Sequence, residues 1–164
     1  MKRIIFIAAL ALLSCSAKKS AAQVAMLTSE CPKDGTCSIE LFENKSIAVK
    51  KDEFGSLYYS LEDNASTRVA KYTYTRQVKG EIQDAGYREE VIIELKNGND
   101  TGEPNQSAPL LFGRFCFCRG QTGYYKISHR DLSITKKSNV QTVDLDFKID
   151  EVPQIIKHIT FTLK

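Results

Sequence analysis

From residue 37 onward the chain alternates apolar and polar side chains with a period of two, the spacing that puts one set on each face of a β-strand. Cys37, Ile39 and Leu41 share one face against Ser38 and Glu40, and Ile47 and Val49 alternate with Ala48 and Lys50. Leu57 to Leu61 and Thr67 to Thr75 are rich in Tyr, Val and Thr, with Ala70, Tyr72 and Tyr74 on a common face. Tyr87 to Leu95 runs into Asn97-Gly98, a strong hairpin-turn signal. Leu110 to Cys118, Tyr124 to Ser128 and Asp131 to Lys136 follow, broken by Gly120, Gly123 and His129-Arg130. The clearest strand sets Val143, Leu145, Phe147 and Ile149 against Asp144, Asp146 and Lys148, and a last one runs from Ile155 to Leu163. No amphipathic helix interrupts residues 37–164. The pattern predicts an all-β domain, an antiparallel β-sandwich or barrel of about nine strands. The polar, Pro/Gly-rich run from Gly98 to Pro109 is its longest loop.

The first residues follow other rules. Lys2 and Arg3 precede an uncharged apolar run from Ile4 to Leu13, too short to cross a bilayer and shaped like a signal peptide. The run closes on Leu12-Leu13-Ser14-Cys15, which resembles the lipobox of bacterial lipoprotein precursors. The resemblance covers the leader alone. It implies that the chain is cut before Cys15, that the thiol of Cys15 carries diacylglycerol, and that the new amino group is acylated. The partner is then membrane lipid, and several acyl chains on one cysteine give a firm anchor. Ser16, rather than an aspartate, after the anchor agrees with the outer-membrane sorting rule of enteric lipoproteins. The competing reading is simple secretion, with cleavage after Ala17 or Ala22. Residues 1–14 thus read as signal peptide, 15–26 as lipidated tether and 27–164 as one β domain, large enough for a real core.

Charge removes one class of partner. Without Lys2 and Arg3 the mature chain holds 21 basic and 20 acidic residues, a formal charge of +1, so no basic surface argues for nucleic acid. Trp is absent, and seven Tyr with the seven Phe that follow the leader (eight in the whole chain) supply the bulk of a β-rich core.

Cys31, Cys37, Cys116 and Cys118 remain after Cys15, an even number in an exported domain, which points to two disulfides. Were Cys116 and Cys118 in one strand, strand rise would hold them about 6.5–7 Å apart, at the limit for a bridge. The expectation is therefore two long-range bridges joining Cys31 and Cys37 to Cys116 and Cys118. The functional alternative is a thiol or soft-metal site using Cys116 and Cys118.

The segment Arg114 to Tyr125 is the densest in aromatic, basic and glycine residues, and Arg119, Tyr124 and Tyr125 form a candidate binding edge. The structural reading of the same segment is a hairpin with Phe115, Phe117 and Tyr125 in the core. His129 and His158 stand apart without a nucleophile motif, so no catalytic residues, cofactor or metal ligands are expected. Function reads as a membrane-anchored lipoprotein with a non-catalytic binding or envelope-structural role, with a possible protein or small-ligand partner. Two rivals stand beside it: a periplasmic metal- or thiol-handling protein using Cys116 and Cys118, and a hydrolase inhibitor presenting the Gly98 to Pro109 loop.

Overall fold

The computed structural model describes residues 24–78, 80, 85–97 and 108–164. The signal peptide, Cys15 and most of the Gly98 to Pro109 loop therefore lie outside the described residues. Nine strands and no helix occur among them: β1 (Ala25–Leu27), β2 (Gly35–Lys51), β3 (Leu57–Arg76), β4 (Tyr87–Lys96), β5 (Leu110–Cys116), β6 (Gly123–Lys126), β7 (His129–Lys137), β8 (Val140–Lys148) and β9 (His158–Leu163). The all-β expectation holds. The alternation read from the sequence recurs as strands, with the differences below.

All pairings are antiparallel and form two sheets. The first has the order β1-β9-β8-β7 and the second β2-β3-β4-β5-β6. β1 takes up the end of the stretch read as tether, pairing Ala25 with Leu163 and Leu27 with Phe161. Between the sheets lies the main core. Val143, Leu145, Ile159 and Phe161 from the first sheet meet Ala70, Tyr72, Tyr74, Val91, Ile93 and Phe112 from the second. Rings of Phe112 and Phe147 cross this boundary at 6.0 Å between centroids.

The second sheet is apolar on both faces. Val69, Ile92 and Leu111 are fully buried on the side away from the main core. Their cover is the sheet's own hairpin. What reads in sequence as two strands on each side is one long β2 and one long β3, bent in the middle. The bend falls where pairing slips from Glu43–Arg68 to Lys45–Asp63, and Asn44 there takes a left-handed φ of 55°. The side-chain amide of Asn97 donates to the carbonyls of Ala65 at 2.9 Å and Thr67 at 3.1 Å, clasping the longer side of the bulge. Beyond it the hairpin carries Ile47, Val49, Tyr59 and Leu61 over the sheet, and Glu94 accepts the amide of Ile47 at 2.7 Å. β3 then pairs with β6 through Leu57 and Tyr124, so β3, β4, β5 and β6 close a small barrel. Both expected architectures, sandwich and barrel, coexist through this fold-back.

A buried carboxylate joins the two sheets. Glu89 is fully buried on the inward face of β4. Its oxygens accept the backbone amides of Ile155 at 2.7 Å and Ile156 at 2.8 Å, in the segment leading to β9, and the hydroxyl of Tyr87 at 2.5 Å. That segment was expected to be strand from Ile155; it begins at His158 instead, because the amides of Ile155 and Ile156 turn to Glu89 rather than to a neighbouring strand.

The expected long-range disulfides are not formed. Cys31 pairs with Cys37 and Cys116 with Cys118. β5 ends at Cys116 and the chain bends at Phe117, bringing the Cα atoms of Cys116 and Cys118 to 5.2 Å, inside the range that strand rise had excluded. Phe117, expected in the core, is 82% exposed at that bend.

Glu89→Ala should lower the free energy of unfolding by about 2–5 kcal/mol, because buried amides lose their acceptor. Urea unfolding is the measurement, with Glu89→Gln expected to cost less because its amide oxygen still accepts one bond.

Candidate functional site

The β5–β6 turn is the place where the sequence-marked residues gather. Gly120 (φ 72°) and Gly123 (φ 130°) hold backbone conformations that other residues rarely adopt, and they return the chain from Cys118 to Tyr124. The hydroxyl of Thr122 donates to the carbonyl of Arg114 at 3.2 Å and the amide of Gln121 to that of Cys118 at 3.2 Å.

Inside this turn lies Arg114, 8% exposed. Its Nη1 donates to the Sγ of Cys118 at 3.1 Å and to the side-chain oxygen of Gln121 at 2.8 Å. Its Nε donates to the hydroxyl of Tyr87 at 3.3 Å, and its guanidinium lies 5.4 Å from the centre of that ring. Tyr87 in turn donates to Glu89. A continuous polar chain thus runs from the buried Glu89 through Tyr87 and Arg114 to the sulfur of Cys118. Among the described residues no carboxylate is ion-paired directly with Arg114. On the other side, Cys116 lines an open depression of about 490 Å³ with Thr75, Gly86, Tyr87, Arg88 and Phe117.

The three candidate binding residues occupy different settings in the β5–β6 hairpin. Tyr124 and Tyr125 are adjacent in a strand and point to opposite faces. Tyr124 belongs to the small barrel, edge-on to Tyr59 and Phe115 at 5.2 Å each, and donates to Glu90 at 2.7 Å. The packing of Phe115 and Tyr124 needs Gly113, where a Cβ would meet their rings at 2.8 and 2.7 Å. Burial and the bond to Glu90 push the Tyr124 phenol far above its ordinary pKa. Tyr125 packs against the main core. Both line a second depression, of about 580 Å³, between the turn at Gly55-Ser56 and the β5–β6 hairpin. Arg119 is exposed on the turn and is not part of that lining.

Cys31 and Cys37 have a different setting. They pack against the main core, and the buried Tyr72 donates its hydroxyl to the Sγ of Cys37 at 3.0 Å. A neutral phenol faces this pair, where a guanidinium faces the other.

On the outer face of the first sheet, Asp144, Asp146 and His158 bring ligand atoms within 4.8 Å of one another. His158 lies 3.0 Å from Asp144, and the hydroxyl of Thr160 donates to the same carboxylate at 2.6 Å. The Thr160 bond, with help from His158, holds the Asp144 carboxyl below its usual range. Asp144, His158 and Thr160 form a cross-strand hydrogen-bond network on this face.

Comparison with protein-family models, curated proteins and solved structures finds no match. The site therefore has to be read from its own chemistry. Sequence reasoning noted Arg114 beside the cysteines but missed Glu89 and Tyr87. The available signal was parity, since Glu89 falls on the same strand face as Val91, Ile93 and Leu95.

Alkali tests the buried phenols. Burial, then Glu89 and Tyr74, pushes the Tyr72 hydroxyl up to about 12. The folded pKa exceeds the unfolded one near 10, so the associated stability is full below about pH 10 and disappears as pH rises through about 12. Between those limits unfolding should cost about 1.4 kcal/mol less per pH unit for this group, with a smaller slope in Tyr72→Phe, read by denaturant titration.

Proposed function

We propose that the chain is a bacterial lipoprotein whose β domain stands at a membrane surface, most simply the outer membrane, in a non-catalytic binding or envelope-structural role. One observation carries the reading: Cys15 lies in lipobox register at the end of the leader's apolar run. The layout of the body is compatible with it. Ten residue steps separate Cys15 from Ala25, the first residue of β1, and cannot span more than about 35 Å. An acylated Cys15 would therefore keep the domain close to the lipid surface.

The β5–β6 turn supports the binding side of the proposal. It presents Phe117, 82% exposed, two residues before the exposed Arg119, and aromatic and arginine side chains are favoured at interface hot spots. With a formal charge of +1 on the mature chain, the partner is better sought among proteins or small ligands than nucleic acids.

Metabolic labelling with palmitate and membrane fractionation test the anchor. The native chain should take up label and sediment with membranes, whereas Cys15→Ser should remain unlabelled and appear as uncut precursor or soluble protein. Equal label in both proteins overturns the proposal.

A further inference from the structure

We propose that Cys116–Cys118 is a thiol–disulfide exchange site that accepts two electrons from a dithiol, with Cys116 the sulfur attacked and Cys118 the thiolate released. This goes beyond an anchored binding domain, since it gives the exposed turn a reaction.

Three independent features converge. The pair is local, two residues apart at a strand end, so closing it removes little chain entropy and folding adds little resistance to opening it. The two half-buried sulfurs are set differently: Cys116 lines the open depression beside Phe117, while Cys118 accepts from the buried Arg114 at 3.1 Å. The guanidinium is held in place from behind by Tyr87, itself hydrogen-bonded to Glu89. A cation beside a sulfur favours its thiolate form, and a better-stabilised thiolate is the faster leaving group. Arg114 is a positioning residue in this scheme. The charged and titratable groups around the pair are Arg114 on its own strand, Arg119 on the turn, and Tyr87, Arg88 and Glu89 on β4.

The step balances without a further reactant. A thiolate of the dithiol attacks Cys116 Sγ, a sulfur–sulfur bond forms, and the Cys116–Cys118 bond breaks with its electron pair going to Cys118. The second thiol of the donor, deprotonated by solvent, then attacks its own sulfur in the mixed disulfide and releases Cys116, which takes up a proton. The donor leaves as a disulfide, oxidised by two electrons, and the protein is left with two reduced cysteines. Cys31–Cys37, packed on the core and faced by the neutral Tyr72, serves as the internal control.

The test treats the full-length anchored protein in detergent with dithiothreitol, quenches by alkylation, and follows each cysteine pair by mass spectrometry of its peptides. Cys116–Cys118 should open at least about tenfold faster than Cys31–Cys37, about tenfold slower in Arg114→Gln, and within about threefold of native in Arg114→Lys. A second measurement leaves Arg114 untouched. The ultraviolet absorbance of thiolate at neutral pH should be larger for Cys118 in the Cys116→Ser protein than for Cys116 in the Cys118→Ser protein. Equal opening rates for the two native pairs, or no excess of thiolate at Cys118, would overturn the proposal.

Discussion

The carboxylate of Glu89 is the interaction on which the two-sheet arrangement and the β5–β6 turn both depend. A charge in a fully buried position is costly unless every lone pair is used, and here the partners come from two directions. The amides of Ile155 and Ile156 bring the segment before β9 onto the second sheet, so this contact joins one sheet to the other. The third partner, Tyr87, passes the same constraint to Arg114 and from there to Cys118. Sheet packing and the setting of one sulfur are thereby the same network seen from its two ends.

A second constraint comes from surface that has to be hidden. Val69, Ile92 and Leu111 line the far face of the second sheet, and a four-stranded neighbour already occupies the near face. The chain resolves this locally by lengthening β2 and β3 and folding their tip back. The device needs a bulge, a left-handed Asn44, and the amide of Asn97 to satisfy carbonyls that the slipped register leaves without ladder partners. The fold-back also removes an exposed edge, since β6 finds a partner in the first residue of β3. At the open edge of the first sheet, β7 ends in Lys136-Lys137, residues that discourage pairing with another chain.

The four cysteines show how little a residue type says without its neighbours. Both pairs are local, yet one lies on the main core under a phenol and the other lies on a turn between a cleft and a buried guanidinium. The difference is electrostatic, and it originates in residues on β4 and β5 rather than in the cysteines.

The sequence by itself determined what depends on short-range periodicity: the all-β class, most strands and their inward faces. Tertiary structure decided the rest. Cysteine pairing turned on whether β5 reached Cys118, and a bend of one residue at Phe117 settled it. That Ile47 and Cys37 belong to one bent strand, and Leu57 and Val69 to another, depends on a bulge closed by an asparagine some fifty residues beyond Asn44. Arg114 was visible beside the cysteines, and Glu89 was not singled out. Their partners came from segments far apart in the chain, and only folding brings a carboxylate, a phenol, a guanidinium and a sulfur into one line.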